Sequence, residues 1–119
     1  MFATSALGFV GVGLGAIGSH YLRERLEANN RMDAWRTATQ YQLLHAVALF
    51  SLSLLQSKPH PFKGAEYLWT GRLWVAGVVL FSGSIYVLCL DGPKFPFGPL
   101  TPAGGVLLMA GWAAAALKL

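Results

Sequence analysis

Polar and charged residues are unevenly placed in this chain: long runs carry almost none, and short connections carry nearly all of them. The apolar runs cover residues 2–22, 37–57, 69–90 and 100–117, the third being free of charge from Leu73 and extended back past Arg72 to Trp69. A helix that crosses a bilayer needs about 20 predominantly apolar residues, and each run approaches that length. The pattern therefore predicts an all-α membrane protein, a single domain over residues 1–119 built as a bundle of four transmembrane helices with short connections. Four such runs leave no room for a separate soluble domain. The first run ends in "AIGSH", which looks faintly like a cleavage site. No Lys or Arg precedes its apolar part, so it is expected to be a retained helix rather than a signal peptide.

The connections predict different things. Residues 23–36 ("RERLEANNRMDAWR") place opposite charges four apart, Arg23 with Glu27 and Glu27 with Arg31. That spacing supports a short helix, with a break at Asn29-Asn30 and Asp33 as a cap for the second span. Residues 58–68 contain Pro59 and Pro61 and read as an extended loop. Residues 91–99 ("DGPKFPFGP") hold three prolines and two glycines, which predicts a stiff, non-helical turn. Thr101-Pro102 then supplies an N-cap followed by Pro at the first helical position, the expected start of the last span.

Small residues predict how the helices meet. Lipid tails are as apolar as leucine, so association inside a bilayer relies on close packing, and faces without side chains mark contacts. Thr4, Gly8, Gly11, Gly15 and Gly18 recur at intervals of four, three, four and three, one face of the first helix. Gly8, Gly11, Gly15 and Gly18 are therefore expected to pack against another helix. Gly77 and Ser82 to Ser84 offer small residues in the third run, and Gly104, Gly111 and Ala115 in the fourth.

Composition agrees with the pattern. The chain is 55% hydrophobic and 12% charged, with 14 glycines and a mean hydropathy of +0.50, whereas a soluble domain is about 25% charged. The net charge of +4 sits in the connections, next to lipid headgroups. No basic face with interleaved aromatics or nucleic-acid motif appears, so membrane lipids are expected partners and nucleic acid is not. The first and third connections carry five basic residues and the opposite side four, a weak bias that would place the first set in the cytoplasm or matrix. The lone cysteine, Cys89, stands in "YVLCL", where it reads as a small apolar residue; with no second Cys in the chain to pair with, it does not indicate a redox compartment, and CxxC and metal-finger motifs are excluded.

The candidate chemistry is the set of polar residues inside the runs. Gln42 and His45 lie one turn apart on a face shared with Ala38 and Leu49. His20 closes the first run, and Ser82, Ser84 and Tyr86 lie within the third. Such groups face a bundle interior, so partners are expected at Ser82, Ser84 or the polar end near His20, with a neutral imidazole. Two roles remain open: register-fixing hydrogen bonds, or an internal site for a lipid, quinone, proton or small solute. A metal or haem held by His20 and His45 would need both rings at one depth, and their positions along the runs differ. No cofactor or metal is expected. No Asp or Glu lies within a span, which argues against proton-coupled exchange. "GVGLGAIG" is not a dinucleotide fingerprint, because it lies in an apolar helix with no strand before it. No nucleophile constellation is present, and no enzymatic activity is expected.

Four segments, "GLGAIGSH", "WRTATQYQLLHAVAL", "LFSGSIYVLCL" and "LTPAGGVLLMAGW", resemble the transmembrane protein 256 family, also called domain of unknown function 423, in family order and spacing. The likeness covers nearly the whole chain. Ser19 departs from the alanine common there, and the 58–68 connection is somewhat long. The resemblance implies a small multi-span protein of bacterial inner membranes and, in eukaryotes, of mitochondria, with no known activity. His20, Gln42, His45, Ser82, Ser84, Tyr86 and Thr101 all fall within the matching segments. On these grounds a non-enzymatic accessory component of an inner-membrane assembly is expected, with other subunits or further copies of itself as partners. A lipid-, quinone- or solute-binding module is the alternative.

Overall fold

A computed structural model describes residues 2–57 and 67–118. Among them every regular element is helical: α1 (Phe2–His20), α2 (Arg23–Ala28), α3 (Met32–Ser57), α4 (Leu68–Cys89) and α5 (Lys94–Ala116). Three of these, α1, α4 and α5, are long and apolar enough to cross a membrane. At 26 residues, or about 39 Å, α3 has the length. Its lower apolarity follows from Asp33, Arg36, Thr37, Thr39, Gln40, Gln42 and His45 in its first part.

α3 is the hub. It packs on α1 and on α4, and α4 packs on α5. Its buried residues Trp35, Ala38, Gln42, His45, Leu49 and Leu52 recur at three- and four-residue steps, the spacing of a heptad seam. Toward the C-terminus the seam is apolar: Leu49 and Leu52 cluster with Trp74, Val78 and Leu108. Toward the N-terminus Trp35 joins Leu26, Met32 and Cys89, which seats α2 under the bundle.

α4 and α5 meet almost backbone to backbone. A Cβ on Gly104 would overlap the main chain of Phe81, and one on Gly77 would lie 2.9 Å from the Leu108 nitrogen. A Cβ on Gly111 would enter the Trp74 indole. On α1 the expected glycine face is only partly used. A Cβ on Gly8 would touch Ala46 at 3.9 Å, Gly11 is buried against Gln42 and Leu43, and Gly18 is buried against Trp35. Gly15 is different: a Cβ there would have nothing within 4 Å, so its expected helix contact is not made. Positions 11 and 18 are seven apart and share the seam, whereas position 15 is rotated off it.

The connections correct several expectations. The short helix α2 forms and ends at Asn29-Asn30, with Asn30 in the left-handed region (φ 54°). Arg23 pairs with Glu27 at 3.1 Å, but Arg31 turns away and donates to the Leu88 carbonyl at 3.1 Å. Asp33 lies inside the first turn of α3 rather than at its cap. Residues 94–99 belong to α5, not to a turn, with Phe95 extended (φ −115°, ψ 131°) at a kink. Pro96 follows the kink at the first helical position, where its N–H would have no intrahelical acceptor, whereas Pro99 lies inside the helix and removes one main-chain donor. Thr101 is consequently inside the helix and caps nothing; its hydroxyl reaches back 3.3 Å to the Phe97 carbonyl. The loop expected over 58–68 falls, up to residue 66, outside the described residues.

Candidate functional site

The polar groups of the α3 seam are taken up by different helices. Trp35 donates from Nε1 to the Leu14 carbonyl of α1 at 2.9 Å. The Ala38 carbonyl accepts from Ser82 Oγ of α4 at 2.7 Å. Gln42 donates from Nε2 to the Leu7 carbonyl of α1 at 2.9 Å, and its Oε1 accepts from Tyr86 Oη of α4 at 2.7 Å. His45 Nδ1 lies 2.8 Å from the Tyr41 carbonyl, and Nε2 accepts from Trp112 Nε1 of α5 at 3.1 Å.

These partners define the state of His45. A carbonyl only accepts, so Nδ1 carries the proton; an indole N–H only donates, so Nε2 carries a lone pair. Both bonds are satisfied by the neutral Nδ1–H tautomer, and the residue is 2% exposed. Its ring meets Trp74 and Trp112 edge-on at 5.9 and 6.0 Å between ring centres. Trp74 and Trp112 pack against each other at 4.7 Å. The Trp74 indole N–H is buried without a hydrogen-bond partner.

The two bonds to α1 share one device. A helix carbonyl already accepts from the N–H four residues on, and the side chain at that position flanks it. Here the flanking positions for Leu7 and Leu14 are Gly11 and Gly18. A Cβ at Gly11 would sit 3.3 Å from Gln42 Cδ, and one at Gly18 would overlap Trp35 Nε1. The missing side chains are what let a second donor reach those carbonyls.

The structure thus brings Gln42 and Tyr86 together and sends the other candidates elsewhere. His45 is paired with Trp112, not with Ser82, Ser84 or the end near His20. Ser82 bonds Ala38, and Ser84 donates to Phe81 O at 3.0 Å and touches the Thr101 hydroxyl of α5. His20 is exposed at the end of α1 and takes no part. Among the described residues no three His, Cys, Asp or Glu side chains come together. Sequence reasoning missed Trp35 and Trp112 as donors. Trp35 had a signal, since it extends the 38, 42, 45 spacing by one step; Trp112 had none, because its partner lies 67 residues away.

A second polar cluster ties the α2 end together. Arg25 Nη2 reaches Asp91 Oδ2 at 2.8 Å and the Leu90 carbonyl at 3.3 Å. With Arg31 on Leu88, two guanidinium groups satisfy carbonyls at the C-terminal end of α4, where a helix leaves acceptors unpaired. Cys89 is buried beside them, its Sγ 3.7 Å from the Arg31 carbonyl.

Comparison with known proteins gives a consistent family signal. Residues 14–105 match the family described as "Protein of unknown function (DUF423)". The chain is 42% identical over 110 residues to a UPF0382 membrane protein of Schizosaccharomyces pombe, covering 89% of this chain and 88% of that one. It is 38% identical over 102 residues to a UPF0382 membrane protein of Bacillus subtilis, covering 85% and 79%. With a UPF0382 inner membrane protein of Escherichia coli it shares 35% identity over 106 residues, covering 89% and 77%. No solved structure matches.

Proposed function

We propose that this chain, which belongs to the DUF423 family of membrane proteins, is a non-enzymatic structural or accessory component of a larger inner-membrane assembly. That it is an integral membrane protein follows from its family and from its apolar helices. The observation that supports the structural role is the engagement of Gln42 and His45. These are the groups a solute or proton site would use, and both are fully bonded: Gln42 to α1 and α4, and His45 to the Tyr41 carbonyl of its own helix and to Trp112 of α5. Moving either one to meet a ligand would break helix-to-helix bonds in a medium that offers no water to replace them.

In this role α3 is the fourth span. Its polar seam is turned inward and bonded, while the surface it leaves exposed from Tyr41 through Leu44, Val47, Phe50 and Leu54 is apolar. Asp33→Cys and Gln56→Cys variants should be labelled by an impermeant maleimide from opposite sides of the membrane. Labelling from the same side would remove α3 from the set of spans. The accessory role is tested by gentle extraction from the native membrane followed by native mass spectrometry. The expected result is a protein partner, or further copies of this chain, in fixed ratio. A lone monomer under conditions that preserve known complexes of the same membrane would refute the role.

A further inference from the structure

At the end of the bundle remote from α2, the start of α1, the last turns of α3 and the first turns of α4 border an open cleft of about 460 Å³, within the ~300–1,000 Å³ range of small-molecule sites. Its inner wall is Leu49, Leu52 and Val75, and Tyr67 and Arg72 stand at its mouth. The cleft owes its width partly to Gly71, where a Cβ would lie 3.6 Å from Leu52 Cδ2.

Its level and its charge both point to one kind of occupant. Tyr67 and the exposed Trp69 belong to the aromatic belt that marks a membrane–water interface, and the Arg72 guanidinium lies 5.7 Å over the Trp69 ring. Arg72 is therefore at headgroup level, while Leu49 and Val75 line the cleft deeper along their helices. Among the described residues Arg72 has no carboxylate partner. The described carboxylates, Glu24, Glu27, Asp33 and Asp91, all belong to the opposite end; Glu66 lies outside the described residues. The first turn of α4 has no side-chain cap, so its dipole adds to the positive field at the same level.

We propose that this cleft holds one anionic phospholipid, with its phosphate on Arg72 and one acyl chain against Leu49, Leu52 and Val75. A soluble anion would use the arginine but not the apolar wall beneath it; a zwitterionic lipid would use the wall but leave the arginine uncompensated. The site is separate from the Gln42 and His45 bonds and does not depend on the accessory role, so either can fail alone.

The test is native mass spectrometry of the whole chain in detergent micelles, titrated with phosphatidylglycerol and with phosphatidylcholine of matched acyl chains. The wild type should retain one phosphatidylglycerol about fivefold more strongly, the factor that one basic side chain gives at an anionic surface. Arg72→Gln should bring the two lipids level, and Arg72→Lys should keep most of the preference. Gly71→Leu, which fills the cleft, should weaken retention of both. Lys118→Gln, a neutralised cation at another helix end, should change nothing. Circular dichroism establishes that each variant is folded before it is scored. No preference in the wild type, an unchanged preference in Arg72→Gln, an equal loss in Lys118→Gln, or displacement by millimolar inorganic phosphate would each overturn the proposal.

Discussion

The Gln42 to Tyr86 bond allows the bracing of the bundle to be measured. Replacing Gln42 with Met keeps the length and flexibility of the side chain while removing both polar ends. Two bonds are lost, one to Leu7 O at 2.9 Å and one from Tyr86 Oη at 2.7 Å. Measured hydrogen bonds between helices in membranes average about 0.6 kcal/mol and reach about 1.7, which sets the loss for two at about 1–3 kcal/mol. The two halves are unequal. The Leu7 carbonyl keeps its own intrahelical N–H, whereas the tyrosine hydroxyl is left to find another acceptor. Tyr86→Phe alone should cost about 0.6–1.7 kcal/mol, since Gln42 Oε1 then lacks its donor. In the double variant that bond cannot be lost twice, so its destabilisation should fall short of the sum by the same amount. The assay is reversible unfolding in mixed micelles of increasing dodecyl sulfate fraction, followed by far-ultraviolet circular dichroism. Additivity within about 0.3 kcal/mol would show that the bond contributes nothing and refute the bracing argument.

Three further outcomes are expected. Gly18→Leu should destabilise the protein by about 1–3 kcal/mol, because any Cβ there overlaps the Trp35 indole and core overpacking has that magnitude; Gly15→Leu should unfold like the wild type, and equal effects at both positions would refute the seam assignment. His45→Gln, which retains an acceptor for the Trp112 N–H, should be milder than His45→Leu by about 1 kcal/mol, again read by dodecyl sulfate unfolding; a His45→Gln protein that folds normally yet loses its cellular phenotype would instead favour an internal ligand or proton site. Cys89, 1% exposed, should resist a small maleimide in folded micelles and react fully after unfolding, and rapid labelling of the folded protein would contradict its burial beside Arg31.

The run lengths and their polar punctuation made the helical elements legible, and the i, i+4 charges made α2 legible too. Starting points were harder. Prolines at 93, 96 and 99 read as excluding helix and Pro102 as opening one, yet Pro96 already stands at the first helical position, where its N–H would have no acceptor, and Pro99 and Pro102 lie inside the helix, each at the loss of one main-chain donor. For the candidate site, the inward turn of Gln42 and His45 was readable because 38, 42, 45 and 49 share one face. Their partners were not. Two of the seam's acceptors are main-chain carbonyls of α1, which every residue carries, and what selects Leu7 and Leu14 is a missing side chain four residues later. The expectation that all the α1 glycines pack failed for a related reason: a spacing rule finds a broad stripe, while the contact line is a narrower seam that includes 11 and 18 and passes by 15.

The paired bonds between α1 and α3 also work as a vernier. The helices run antiparallel, and the bonded pairs Leu7 with Gln42 and Leu14 with Trp35 keep one constant offset: each step of seven down one chain is matched by a step of seven up the other. Shifting α1 by one residue would bring the carbonyls flanked by Val12 and Ser19, or by Val10 and Ile17, to the two donors, and in either case a side chain would flank both of them. The other register that offers two open carbonyls seven apart is three residues away, where Gly8 and Gly15 would take the places of Gly11 and Gly18. Reaching it takes a slide of about 4.5 Å together with a turn of about 60°, and both donors must let go before either finds its new acceptor. Motion between these two helices is therefore stepped rather than graded, with notches set by the glycine spacing. A one-residue insertion between Leu7 and Leu14, or between Trp35 and Gln42, would put the two scales permanently out of step, while the same insertion at Asn29-Asn30 would leave them aligned.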